Sequence, residues 1–357
     1  MASEPALLGQ HGRTSGARIA GVVSCVPRRI VENTDFHDRF DASSVNDVIK
    51  MIGVKTRRWV EPGVCTSDLC MRAGEKLMAG LSWPVDTVDG LLFVSQTPDY
   101  RLPATACAMH GRLGMRVGAV ALDINLGCSA YGYALWLAMT MVQTGLVKRI
   151  LVAVGDTSSR VVDPDDRATA LLFGDAGTVT AIERCDDATV DTTAHFILGT
   201  DGAGAANLII PRGGFKDGTL QGDTRLQNRN PECLFMDGSE IFNFTLRAVP
   251  RLISECLQAS GHPMEEHDAF LFHQANLFMI KHLVKKAKLP LERVPINIDR
   301  FGNCSSASIP LLLTTELADT LRTKSQRLAL FGFGVGYSWG SASLSVGPLA
   351  CIETIEL

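Results

Sequence analysis

The sequence predicts an α/β fold made of two copies of one unit, and three observations lead there. Short, nearly continuous apolar runs alternate with stretches of helical periodicity, the pattern of strands buried between helices. Runs in the second half answer runs in the first at nearly one offset: Phe270-Leu-Phe answers Leu92-Phe-Val, and Arg327-Leu-Ala-Leu-Phe answers Arg149-Ile-Leu-Val-Ala. Each half also closes on a strand of small residues, Gly177-Thr-Val-Thr-Ala and Ser341-Ala-Ser-Leu-Ser.

Residues 1–16 are polar and small, and read as a mobile tail. Residues 17–185 form the first half and 186–357 the second. Within the first, Gly90 to Gln96 and Val117 to Leu126 read as buried strands. Ser129 to Gln143 follows as a helix, with Tyr131, Ala134, Leu135, Ala138, Met139 and Val142 at three- and four-residue steps, and Gly145 stops it. Arg149 to Val154 is the next strand. Residues from about 190 to 240 are rich in Gly, Asp and Asn and break the repeat, so they read as an inserted, loop-heavy segment. Beyond it come the strand Phe270 to Phe272, the helix Leu277 to Lys286, and a helix opened by Gly302-Asn-Cys-Ser-Ser-Ala as Asn125-Leu-Gly-Cys-Ser-Ala opens the earlier one.

Composition removes several classes of function. The 357 residues are 46% hydrophobic and 20% charged with a net charge of −4, and no basic run offers the clustered cations that nucleic-acid phosphates require. The longest apolar stretches, Tyr133 to Val142 and Leu328 to Tyr337, are too short for membrane spans. None of the ten cysteines is spaced CxxC or paired with His at zinc-finger spacing, so no structural zinc is expected. The first residues lack an apolar segment of export length, and reduced thiols in a cytoplasmic protein are expected.

Three residues stand where chemistry is made. Cys128 follows the strand Val120 to Leu126 at the start of a helix, where unpaired N–H groups favour thiolate, and Gly127, Ser129, Ala130 and Gly132 leave the sulfur approachable. A small buried hydrophobe is the plainer reading of the same residue. His273 ends an apolar strand, the place where α/β sheets build sites, though a hydrogen-bonded core imidazole fits as well. Asn303 lies in the second-half counterpart of the Cys128 turn and also suits a helix cap. If the halves are duplicates, all three meet at the axis between them. Gly332-Phe-Gly-Val-Gly-Tyr-Ser-Trp-Gly340 lies between two strands and opens no helix, which excludes a dinucleotide loop. It suits either a tight β-turn or an oxyanion hole of main-chain amides. Lys281, Lys285, Lys286 and Lys288 read as a solvated helix face or a dock for an acidic partner, and Asp175 as a structural turn carboxylate.

Four motifs in order, Asp123-Ile-Asn-Leu-Gly-Cys128-Ser-Ala, His273-Gln-Ala-Asn276, Gly302-Asn303-Cys-Ser-Ser-Ala-Ser and Gly332 to Gly340, resemble the thiolase-like condensing enzymes, specifically the β-ketoacyl-ACP synthase III group, from about Ala17 to the C-terminus. The resemblance implies a thiolase-like five-layered αβαβα fold, a cytoplasmic homodimer, fatty acid biosynthesis, and no metal or other cofactor. It implies Cys128 as the acylated nucleophile, His273 and Asn303 as the decarboxylation pair, and the amides of Cys128 and Val335 as the oxyanion hole. Phe333 would pack between His273 and Cys128; Gly334, Gly336 and Asn276 would line the substrate site; and Leu102 would close the partner subunit's acyl pocket.

The implied reaction moves an acyl group from acyl-CoA or acyl-ACP to Cys128, decarboxylates malonyl-ACP, and joins the two into 3-oxoacyl-ACP and CO2. A neutral His273 Nε2–H and the Asn303 amide would hold the enolate oxygen. The alternative on the same residues is an acyltransferase that passes the group to an oxygen or nitrogen nucleophile, with His273 as base; a partner subunit with a decayed site is a third reading. Asp47 and Met51 stand about where typical members place the Trp and Arg that sandwich the CoA adenine, Phe278 where a basic carrier contact is usual, and Val335 where Gly is common.

Overall fold

The structure is a computed structural model that describes residues 8–216 and 223–357. The strands are β1 (Gln10–Thr14), β2 (Ala17–Val26), β3 (Ile30–Glu32), β4 (Thr56–Arg58), β5 (Gly90–Val94), β6 (Val120–Ile124), β7 (Arg149–Thr157) and β8 (Asp175–Arg184). Those that follow are β9 (Ala194–Thr200), β10 (Leu208–Ile209), β11 (Phe235–Met236), β12 (Ala269–Phe272), β13 (Gln326–Gly334), β14 (Ser338–Val346) and β15 (Cys351–Glu356). The helices are α1 (Ala42–Ile52), α2 (Thr66–Leu81), α3 (Thr105–Leu113), α4 (Ala130–Gln143) and α5 (Arg167–Ala170). After them come α6 (Gly238–Ser260), α7 (Leu277–Ala287), α8 (Ile298–Phe301), α9 (Ser308–Thr315) and α10 (Ala318–Thr323).

Two sheets carry the duplication. One runs β15-β2-β8-β7-β5-β6, the other β1-β9-β14-β13-β12. Strand for strand, β2, β5, β7 and β8 answer β9, β12, β13 and β14, and the sense of pairing agrees: β5 and β7 are parallel, as are β12 and β13, while β7–β8 and β2–β8 are antiparallel, as are β13–β14 and β9–β14. The near-common offset in the sequence is therefore a topological repeat. The strands are continuously apolar because helices cover both faces. Helices α4 and α9 lie between the sheets, burying Ala130, Leu135, Ala138, Met139, Ile309 and Leu312 against strands from both. On the outer faces α2 and α3 pack on the first sheet, and α6 and α7 on the second. The layers read α, β, α, β, α.

Three sequence expectations are corrected here. Residues 10–14 belong to no mobile tail: they form β1, an edge strand antiparallel to β9. Met1 to Leu7 lie outside the described residues. The inserted segment is shorter than 190–240, because β9 occupies 194–200 as a core strand and α6 begins at Gly238. Nor do the sheets respect the boundary at 185: β1 joins the second sheet, and β15 crosses back to lie parallel to β2 in the first. Each exchanged strand covers an otherwise open edge, which ties the halves together.

Candidate active site

Four segments meet at the seam between the halves, and each is fixed by local chemistry. Near the end of β6 stands Asp123, whose carboxylate accepts the N–H groups of Thr105 and Ala106, both at 2.7 Å, and so caps α3. The chain then turns through Gly127, where a Cβ would lie 2.3 Å from Gln96 Oε1 and 2.8 Å from Val335 Cγ1, so only glycine fits. Cys128 follows, two residues before α4 begins. The Ser129 hydroxyl lies 2.6 Å from that of Ser338, which donates to the Val335 carbonyl at 2.7 Å; the Gly-rich loop is thereby tied to the nucleophile turn.

His273 extends the β12 ladder, donating its N–H to the Phe331 carbonyl at 2.9 Å. Asn303 forms an isolated bridge with Phe173, its N–H on Leu172 and its carbonyl accepting from Gly174. The Ser305 N–H donates to Asn303 Oδ1 at 2.9 Å, which fixes the carboxamide and leaves its NH2 as donor.

The three predicted residues converge. Ser305 Oγ is 4.0 Å from Cys128 Sγ, and the Ser305 backbone contacts the His273 ring. Phe333 stands edge-on to His273 with ring centroids 5.8 Å apart, and a Cβ on the next residue, Gly334, would lie 2.8 Å from Cys128 Cβ and 3.0 Å from its sulfur. The backbone amides of Cys128 and Val335 lie close enough to the sulfur to favour its charged form. All three side chains are buried.

Burial sets the electrostatics. It pushes the His273 imidazole down to about 3, against the opposing contact with the Ser305 backbone, so the ring is neutral. Its Nδ1 has no hydrogen-bond partner among the described residues. Burial first, then the Asp156 carboxylate, pushes the Cys128 thiol up to about 11, while Ser305 and the two amides pull the other way. The expectation that a helix start alone would favour thiolate is thus corrected: desolvation outweighs it in the resting site.

A cavity of about 590 Å³ opens on the sulfur, lined there by Gln96, Asn125, Asp156, Ser305 and Val335. Leu208, Ile209, Ile210, Leu234, Arg212 and Glu232 of the inserted segment form another wall. Sequence reasoning missed Asp156 and Ser305. The signal present was a carboxylate at the end of a buried strand and a hydroxyl two residues past Asn303. Other predicted residues lie apart. Asn276 is the N-cap of α7, accepting from Met279 N–H at 2.7 Å. Gly336, at φ +134°, makes the turn between β13 and β14. Leu102 is 84% exposed and does not line the cavity. Asp175 is structural as expected, accepting from Val60 N–H and from the Ser159 N–H and hydroxyl, with burial raising it to about 6. Lys281, Lys285, Lys286 and Lys288 are exposed.

Gly334→Ala is expected to slow acylation of Cys128 by about 10²-fold, because a misplacement near 1 Å suffices for such a loss. Single-turnover mass spectrometry checks it, and an unchanged melting temperature separates the effect from unfolding.

A duplicated α/β scaffold with a cysteine at a strand–helix junction, beside a buried imidazole and carboxamide, defines a thiolase-fold enzyme of acyl transfer. Residues 122–202 match the family 3-oxoacyl-[acyl-carrier-protein] synthase III, and residues 257–346 match the C-terminal region of that synthase. The β-ketoacyl-[acyl-carrier-protein] synthase III of Xanthomonas axonopodis pv. citri is 35% identical over 331 residues, covering 92% of this chain and 98% of its own. The solved 3-oxoacyl-(acyl-carrier protein) synthase of Burkholderia xenovorans LB400 is 59% identical, with a TM-score of 0.96 over 98% of this chain and 99% of its own. The synthase III of Pseudomonas aeruginosa PAO1 is 28% identical, with a TM-score of 0.82 over 93% and 98%. The chain belongs to the 3-oxoacyl-[acyl-carrier-protein] synthase III family, and it is an acyl-transferring condensing enzyme.

Proposed function

We propose that the protein joins an acyl thioester primer to malonyl-ACP, releasing CO2 and 3-oxoacyl-ACP, with Cys128, His273 and Asn303 as its reacting groups. The observation that carries this reading is their meeting around Ser305, which touches Cys128 and His273 and donates to the Asn303 carboxamide, with the Phe333-Gly334 pair packed against His273 and Cys128. Cys128 attacks the primer carbonyl, and the amides of Cys128 and Val335 stabilise the oxygen of the tetrahedral intermediate. After the first thiol leaves, the malonyl thioester enters. Its carbonyl oxygen gains charge as CO2 departs and is held by the His273 N–H and the Asn303 NH2, which donate without competing as bases. The enolate carbon then attacks acyl-Cys128. Every step runs on side chains, main-chain amides and the two thioesters, so no metal or other cofactor is invoked.

We further read the protein as a cytoplasmic homodimer that receives acyl carrier protein. All ten cysteines are free. No described helix is long and apolar enough to cross a membrane. Edge strand β6 is half-buried along its whole length although four of its five residues are apolar, and Leu102 and Val117 stand exposed on the same half. A second copy on that edge would cover them and bring Leu102 to its neighbour's cavity.

The test is a reconstituted assay with malonyl-ACP and a panel of acyl-CoA and acyl-ACP primers. CO2 and 3-oxoacyl-ACP in equal amounts are expected. Acyl transfer to an alcohol or amine, with no CO2 released by any primer, would overturn the condensation reading.

A further inference from the structure

Asp156 lies near the end of the buried strand β7 and is 2% exposed, yet it lines the same cavity as Cys128. Four hydrogen bonds hold it as an anion, against the burial that favours its neutral form. Oδ1 accepts the Gln96 N–H at 2.7 Å and the Ser95 hydroxyl at 3.1 Å; Oδ2 accepts the Ser306 hydroxyl at 2.6 Å and the Ser306 N–H at 3.3 Å. The Ser305 hydroxyl lies 4.0 Å from the Cys128 sulfur and acts on this carboxylate, which the adjoining Ser306 holds. The donors come from both halves of the molecule, so the carboxylate sits on the same seam as the nucleophile.

We propose that Asp156 takes up the Cys128 thiol proton through the Ser305 hydroxyl, so that the sulfur and the carboxylate share one negative charge. The inference rests on the reading of Cys128 as nucleophile. In the step, the S–H bond breaks as Ser305 Oγ accepts that proton, and Ser305 passes its own hydroxyl proton to Asp156. The thiolate attacks the thioester carbonyl, and the C–S bond to the carrier breaks. The departing thiolate takes the proton back by the same route. Charge is conserved throughout, and no proton needs to enter from bulk water.

Other groups are worse placed for this. His273 is neutral and buried, and burial opposes its becoming a cation. Asp175 is held by Val60 and Ser159 and does not line the cavity. The titratable groups that face Asp156 from neighbouring elements are Cys70 on α2, Asp175 on β8, Cys304 ahead of α9, and Cys128 itself. Each is neutral or negative, so none stabilises a second negative charge beside Asp156. Burial likewise raises Asp156, which brings it toward the thiol as a proton acceptor.

The test is the pH dependence of Cys128 alkylation by iodoacetamide, read by peptide mass in the full-length protein. A pair sharing one charge holds a constant thiolate fraction between its two ionisations, so the wild-type rate is expected to be flat from about pH 6.5 to 9. In Asp156→Asn the thiol must ionise against bulk water, and its rate should climb about tenfold per pH unit over the same range. Asp156→Glu should restore the plateau. A role confined to holding the two halves together would change the melting temperature and leave the slope alone. Equal slopes in wild type and Asp156→Asn overturn the proposal. If Asp156→Asn does not fold, Ser305→Ala carries the test: the plateau rate should fall at least about tenfold, and an unchanged rate is fatal to the relay. Failure of any acyl thioester to modify wild-type Cys128 would remove the nucleophile reading and this inference with it, whereas normal acylation with equal slopes removes only the latter.

Discussion

Cys128→Ala is expected to abolish covalent acylation and to lower condensation at least ~10⁴-fold, since removing a nucleophile costs more than removing any group that assists it. The sulfur is the only group at the head of α4 able to form an acyl ester with a good leaving group: Ser129 bonds to Ser338 and faces the β14 loop. Cys128→Gln should separate the two half-reactions. Its carboxamide fills the space of an acylated cysteine and cannot be acylated, so the variant is expected to release CO2 from malonyl-ACP with no primer present. Intact-mass measurement after incubation with acyl thioesters checks the first variant, and CO2 release checks the second. An equal mass gain on wild type and Cys128→Ala would place the acyl group on another residue; Cys107, the exposed cysteine, would be the first to examine.

The sequence made the duplication and the triad legible for one physical reason. Strands covered on both faces have no polar alternation, so Leu92-Phe-Val and Phe270-Leu-Phe stand out as matching runs, and His273 follows the second while Cys128 follows β6 at a strand–helix junction where sites form. What escaped was whatever long-range pairing decides. Strand β1 is Gln-His-Gly-Arg-Thr, a polar edge segment ordered by β9 rather than by its own pattern. Strand β9 itself lies between Asp- and Gly-rich stretches that mask it. The crossing of β15 to the first sheet has no local signature. Ser305 and Asp156 read in sequence as one more hydroxyl and the end of one more buried strand, and they acquire meaning only where the halves meet. Asn276 misled in the opposite way: it stands in a site-bearing motif, yet its side chain caps a helix.

His273→Ala and Asn303→Ala are each expected to keep acylation of Cys128 within about threefold while lowering condensation by roughly 10²–10³-fold, the cost of removing one donor from a developing oxyanion. The split follows from geometry. On the proposed mechanism, acylation draws on the amides of Cys128 and Val335, which neither substitution removes, whereas the enolate oxygen depends on the two side chains. His273→Ala also gives a pH signature. Burial holds the folded imidazole near 3, below its unfolded value, so the folded ring binds fewer protons than the unfolded one and opposes folding progressively as pH falls below about 6.5. The wild type should therefore lose stability in acid more steeply than His273→Ala, most visibly between about pH 6.5 and 3. For the same reason His273 contributes no titration to the condensation rate above about pH 5. Paired measurements of acyl-enzyme formation and 3-oxoacyl-ACP production, with thermal melts across that range, check all three expectations. Full condensing activity in either variant would take the decarboxylation role away from the pair, and a loss of acylation equal to the loss of condensation would make the residues supports of the Cys128 turn instead.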